Sequence, residues 1–165
     1  MSEPGPTAEA GPQDPAGELA RFLDAQRGVY PAALQELRAG QKRTHWMWFV
    51  FPQIDGLGRS ATAHLYAIRN LDEARRYLAH PELGARLREC TRAVNAIGGR
   101  TLRQIFGSPD DLKFCSSMTL FEQVAGEESE FSVALDKYCA GRRDQATLAL
   151  TRGAATAPDN PVAGR

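Results

Sequence analysis

The stretch Pro81-Glu-Leu-Gly-Ala-Arg-Leu-Arg-Glu-Cys-Thr-Arg-Ala-Val-Asn-Ala-Ile97, closed by Gly98-Gly99, decides the fold class. Proline fits only the first turn of a helix, where its missing N–H costs nothing. Leu83, Leu87, Cys90, Val94 and Ile97 then recur at spacings of three and four, one apolar stripe on a helix. The glycine pair stops it. A helix with a single apolar face must pack against others, so its neighbours are read for the same pattern.

They show it. Leu19, Phe22, Leu23 and Gln26 mark one face of a first helix ending near Gly28, and Pro31 to Ala39 forms a second that stops at Gly40. Ser60 caps a helix, and Asn70-Leu-Asp-Glu73 is a capping-box pattern for one running through Leu78. Ser108-Pro-Asp-Asp111 is read as another capping box, opening a helix to Val124. Ser129 starts one ending at Gly141, and Asp144 a short last one. The expectation is a mainly α, single compact domain of about seven helices over residues 17–152, with 1–16 and 153–165 as disordered tails. Trp46-Met-Trp-Phe-Val-Phe51, ended by Pro52, breaks the pattern and is expected as a short strand or a buried extended stretch.

The 165 residues, 42% hydrophobic, suffice for a proper core. No apolar run is long enough to span a membrane and Met1 to Ala16 lacks the order of a secretory signal, so a cytoplasmic location is expected. Cys90, Cys115 and Cys139 are odd in number and widely spaced, which argues against a disulfide framework or a zinc site and for buried small hydrophobes. His45, His64 and His80 have no ligand spacing, so no metal is expected, and no cofactor. His80 is read as a cap for the helix after it, and His64 as a surface residue.

Formal net charge is zero, but Arg38 to Arg103 holds 12 basic and 5 acidic residues between acidic flanks. A basic middle suits a small anion such as a nucleotide and suits duplex DNA poorly. Two cations, an imidazole and two indoles fall together in Lys42-Arg-Thr-His-Trp-Met-Trp48. In an extended chain His45, Met47 and Phe49 would face one way and Trp46 and Trp48 the other. Indole faces stack on bases, and Lys42 and Arg43 complement phosphates. Gly56-Leu-Gly-Arg-Ser-Ala61 matches the dinucleotide glycine pattern, but the strands around it are missing, so a Rossmann domain is rejected. What remains is either an anion contact through Gly58, Arg59 and Ser60 or a plain glycine turn into a helix. Asp110, Lys113 and Ser117 share one helix face at i, i+3 and i+7, with Ser116 beside them and Phe114, Met118, Phe121 and Val124 opposite. That face is either a catalytic set or a solvated surface.

Arg21-Phe-Leu-Asp-Ala-Gln26, Lys42 through Gln53, Gly56-Leu-Gly-Arg-Ser60, Tyr66-Ala-Ile68, Tyr77-Leu-Ala-His-Pro-Glu-Leu-Gly84 and Asp110 through Phe121 together resemble the bacterial domain-of-unknown-function family eighteen-ten. The resemblance spans roughly Glu18 to Leu150 and implies a fold unit without an activity. A calpastatin-like label attached to that family implies protease inhibition. Calpastatin's inhibitory segments are largely disordered until bound, unlike this apolar, capped core. The order of aromatic segment, helix with Tyr66 and late helix with Lys113 is also loosely similar to the NADAR superfamily, which acts on ADP-ribose-linked N-glycosides.

The first functional expectation is therefore an enzyme cleaving an N-glycosidic bond in a nucleotide-like substrate. Asp110, Lys113 and His45 would be catalytic. Lys42, Arg43, Trp46, Trp48, Gln53, Gly58, Arg59, Ser60, Tyr66, Ser116 and Ser117 would bind the ligand. A non-catalytic sensor of the same anion, or a protein-interaction module, are the alternatives.

Overall fold

The computed structural model describes residues 18–156, with side chains through Arg152. The described residues form ten helices: α1 (Ala20–Gln26), α2 (Tyr30–Arg38), α3 (Met47–Val50), α4 (Ala61–Leu65), α5 (Leu71–Ala79), α6 (Leu83–Asn95), α7 (Leu102–Phe106), α8 (Asp110–Ala125), α9 (Glu130–Tyr138) and α10 (Gln145–Thr156). The mainly α reading holds. The expected tail over residues 1–16 lies outside the described residues. That at 153–165 is corrected at its start, because α10 continues through Thr156.

The stripe on α6 faces inward at Leu83, Leu87, Cys90 and Val94, all buried, but the helix ends at Asn95, so Ile97 lies half-buried beyond it and Gly98-Gly99 does not form its stop. α6 packs against α2, α5 and α9, while α8 packs against α5, α7, α9 and α10. α8 is therefore the central helix. Phe114, Met118, Leu120 and Phe121 are fully buried, and so are Ser117 beside them and Thr119. The expected division of α8 into an apolar and a solvated face fails because helices enclose it on several sides. Three of its buried polar groups find partners, while the buried Ser117 hydroxyl has none among the described residues. Ser116 Oγ donates to Asp144 Oδ2 (3.0 Å), Thr119 Oγ1 accepts from Asp144 N (2.9 Å), and the Glu122 carboxylate pairs with Arg143. Residues 116, 119 and 122 make one polar stripe at helical spacing, which receives the turn between α9 and α10.

Three local expectations are corrected. The aromatic run is helical at α3, with Val50 N donating to Trp46 O (3.1 Å) and Phe51 N to Met47 O (3.1 Å). Extended pairing comes after Pro52, where Ile54 and Ile68 form an isolated parallel bridge and Ile68 N donates to Gln53 O (2.8 Å). The capping box sits at Thr101 and Gln104, opening the unforeseen α7; Ser108 caps nothing, since Pro109 holds the cap position of α8. Asn70 does cap α5, accepting from Glu73 N (2.9 Å), but the Glu73 side chain turns away to Arg69 N and Arg21.

The cysteine reading is half right. Cys90 is free and buried, and burial pushes its thiol up to about 12. Cys115 and Cys139 form a disulfide with Cα atoms 6.1 Å apart. Their 24-residue separation hid the pairing, because only the packing of α9 on α8 brings the two together.

The segment before the site is held by an arginine. Arg21 donates to the carbonyls of Leu65 (2.7 Å) and Ala67 (2.7 Å), contacts that of Glu18, and pairs with the fully buried Glu73 at 3.2 Å. Burial raises the Glu73 pKa, but the Arg21 and Arg69 donors outweigh it and leave the carboxyl below its ordinary value. Gly84 shows equal economy at the α5–α6 corner: a Cβ there would lie 1.9 Å from the Leu78 carbonyl oxygen. Replacing Arg21 by Met leaves Glu73 charged and buried without its cation. The expected loss is about 3–5 kcal/mol of unfolding free energy, measured by urea denaturation at pH 7.

Candidate ligand-binding site

The loop from Lys42 to Trp46 has neither helix nor sheet to satisfy its amides, and one carboxylate does so. Glu36, on α2, accepts from Arg43 N (2.8 Å), Thr44 N (3.0 Å), Thr44 Oγ1 (2.7 Å) and Trp46 Nε1 (2.8 Å). Burial raises its pKa, yet these donors outweigh it and bring the carboxyl down to about 2. Lys42 N donates to Ile105 O (2.7 Å), tying the loop to α7.

The loop aims Lys42 at α8. Its ammonium lies 3.0 Å from Asp110 Oδ2 and 5.2 Å from the centre of the Trp46 ring. Lys113 repeats the motif from the other side, 3.5 Å from Asp110 Oδ1 and 5.0 Å from the centre of the Trp48 ring. Two ammonium groups, one carboxylate and two indoles thus alternate, with a formal surplus of one positive charge. Trp46 is fully buried and Trp48 half-buried, so of the two indoles the second alone reaches the surface.

Two depressions adjoin this cluster. Trp48, Gln53, Gly58 and Tyr66 surround a niche of about 10 Å³, room for one water at most. Gln53 and Gly58 also line a groove of about 220 Å³ with Leu57, Lys113, Ser116 and Asp144. A larger groove of about 750 Å³ continues from it, sharing Leu112, Ser116, Asp144 and Ala146.

Of the expected site residues, Lys42, Asp110, Lys113, Trp46 and Trp48 converge, and Gln53, Gly58, Tyr66 and Ser116 line the adjoining depressions. Others do not join them. His45, Arg43 and Arg59 are exposed and line none of these depressions. The expected alternation fails because α3 is helical: Trp46 and Met47 are both buried. Ser60 spends its hydroxyl on Ala63 N (3.0 Å), capping a helix of only five residues. Gly58 serves packing, since a Cβ there would lie 2.5 Å from that of Ala63. Ser117 is fully buried in α8 and lines neither groove. His80 caps α6 as read, its Nδ1 accepting from Glu82 N (3.1 Å) and Leu83 N (3.2 Å), and His64 is exposed. Among the described residues no cluster of His, Cys, Asp or Glu could hold a metal ion.

Sequence reasoning missed Glu36, whose only signal is a carboxylate six residues before Lys42 on a helix that precedes the loop. It also missed Asp144 as a groove residue, having read it as a helix start. Asp144 does accept from Thr147 N (3.2 Å), but the same oxygen takes the Ser116 hydroxyl.

Residues 16–151 match the family described as "Protein of unknown function (DUF1810)", and the chain belongs to that family. It is also similar to the conserved hypothetical protein Rv1873 from Mycobacterium tuberculosis, known from a crystal structure. The two share 53% identity over 83% of this chain and 97% of that one, with a TM-score of 0.80. None of the curated proteins matches the chain significantly. The looser likeness to the NADAR superfamily gains no support from these relatives. No described helix is long and apolar enough to cross a membrane.

Glu36 has a folded-state pKa below its unfolded value of 4.5, so its contribution to stability is complete above about pH 4.5 and is lost as pH falls towards 2. Glu36→Gln is expected to be less stable than the parent at pH 7. Its stability should also decline less steeply between pH 4.5 and 2, as followed by urea titration at each pH.

Proposed function

We propose that this protein binds a small anion carrying a planar ring, of the nucleotide class, in the groove between α8 and the Gln53–Gly58 loop. The observation that carries the reading is Lys113. Its ammonium lines the groove of about 220 Å³ while sitting 5.0 Å from the centre of the Trp48 ring, so the groove offers a cation with an indole next to it. Gln53 adds a hydrogen-bonding group to the same wall. The surplus positive charge of the Lys42–Asp110–Lys113 cluster favours an anionic group beside the ring.

The geometry favours binding without turnover over N-glycoside cleavage. A carboxylate that stabilises an oxocarbenium ion or activates water must face the substrate. Asp110 is instead spanned by two ammonium groups and lines neither groove. Its role in this reading is to hold Lys42 and Lys113 in place. The Asp144 oxygen facing Ser116 is likewise occupied by Thr147. We place the protein among ligand sensors, in a bacterial cytoplasm, and with no role at duplex DNA given its zero net charge.

Trp46 is buried and Trp48 half-buried, and these are the two tryptophans of the chain, so quenching of fluorescence by a stacked ring reports Trp48. AMP, ADP and ADP-ribose are the first probes. Binding should quench the emission and raise Tm by a few degrees at about 100 times the Kd, with the nucleotide recovered unchanged by mass spectrometry. Trp48→Ala and Lys113→Ala should each weaken binding about tenfold or more, since stacking alone is worth ~1–3 kcal/mol. Absence of quenching and of a thermal shift across all three probes removes the proposal; cleaved ligand restores the hydrolase reading.

A further inference from the structure

We propose that the larger groove is a thiol–disulfide exchange site for a small anionic thiol of the glutathione class, acting on the Cys115–Cys139 bridge. Three independent features meet there. Both bridge cysteines line the groove and both are half-buried rather than sealed in the core, so a thiolate can reach them. At about 750 Å³ the groove falls within the range that takes a small molecule, with Leu102 and Tyr138 beside the bridge. Arg103 and Arg142 stand exposed in the same lining, and neither guanidinium has a partner among the described residues. Arg143, also in the lining, is by contrast committed to Glu122 and Asp136.

A thiol bearing two carboxylates and one ammonium group is drawn to such a rim, and the nearby guanidiniums stabilise the thiolates that exchange requires. The thiolate attacks one bridge sulfur, a mixed disulfide forms, and the other cysteine leaves as a thiolate that takes a proton from water. A second thiolate then attacks the mixed disulfide, releasing the remaining cysteine and the oxidised dimer of the small thiol. Two small thiols are oxidised as one bridge is reduced, and the reverse sequence restores it. In the reducing compartment expected for this chain, bridges are typically transient. Cys90 takes no part, being fully buried and away from the groove.

The bridge also ties α8 to the end of α9, directly before Ala140 (φ 59°) and Gly141 (φ 69°). Alanine disfavours that left-handed region, so the turn that delivers Arg142 to Asp144 is held against a local preference. Because the two grooves share Leu112, Ser116, Asp144 and Ala146, opening the bridge alters the neighbouring groove as well. The exchange itself stands without the nucleotide reading.

The test compares reduced glutathione with 2-mercaptoethanol, a neutral thiol, on the oxidised full chain, with alkylation and intact-mass analysis of quenched samples. A chain isolated in the reduced form is taken in the opposite direction, with glutathione disulfide and 2-hydroxyethyl disulfide. Expected is a mixed disulfide at Cys115 or Cys139 while helical circular dichroism is unchanged. The double variant Arg103→Ala/Arg142→Ala, altered only at exposed positions, should slow exchange with the glutathione reagent by about tenfold and leave the neutral reagent unaffected. Equal effects on the two reagents, or reaction only under conditions that unfold the protein, would overturn the proposal.

Discussion

The Glu36 carboxylate is the contact on which the candidate site depends. A loop that lacks a ladder of its own must find acceptors for its buried or half-buried donors, and each donor left without one costs roughly 1–3 kcal/mol. Glu36 meets four donors at once, the part-buried indole N–H of Trp46 and three exposed ones from Arg43 and Thr44. It does so from α2, which is anchored on α6 through Ala33, Leu34 and Leu37. The rigidity of the core thus reaches the loop through one side chain. With the loop fixed, Trp46 is seated in the core beside Phe51, and the single helical turn of α3 brings Trp48 towards Lys113.

A second constraint is the enclosure of α8. A helix surrounded on several sides must find partners within the protein for most of its polar groups, and of those buried on α8 the Ser117 hydroxyl alone has none among the described residues. Ser116, Thr119 and Glu122 instead form the seat for the α9–α10 turn, through Asp144 and Arg143. That docking builds the wall common to both grooves. The residues that shape the candidate site are therefore mostly devoted to structure, and the groups left to meet a ligand are few: Lys113 beside Trp48, Gln53, and the guanidiniums of Arg103 and Arg142, which have no partner among the described residues.

Helix positions were legible in the sequence because local chemistry sets them. The stripe on α6 from Leu83 to Val94, the cap at Asn70 and the cap at Ser129 each depend on residues within a turn of one another. What was illegible depends on the third dimension. Trp46 through Phe51 has strand-forming composition, but an indole hydrogen bond to Glu36 and burial against Phe51 and Phe106 favour a turn of helix. Cys115 and Cys139 pair only because two helices pack. Of the candidate site, Lys42 and Trp48 stand out in one short window and Asp110 and Lys113 in another, and the packing of the loop on α8 brings the two windows together. Ser117 was misplaced because it lies three residues after Phe114 and four before Phe121, spacings that put it on the apolar side of α8.

The central claim is that an ionised Glu36 holds the Lys42–Trp46 loop in one conformation, and amide hydrogen exchange at Arg43 and Thr44 addresses it most directly. Both residues are exposed, so without the carboxylate their amides should exchange at close to unprotected rates. The account predicts clear protection of both amides at neutral pH in the parent protein and its loss in Glu36→Ala, with amides in α6 still protected. Unprotected amides at Arg43 and Thr44 in the parent would contradict it, and the ligand site built upon that loop would lose its foundation.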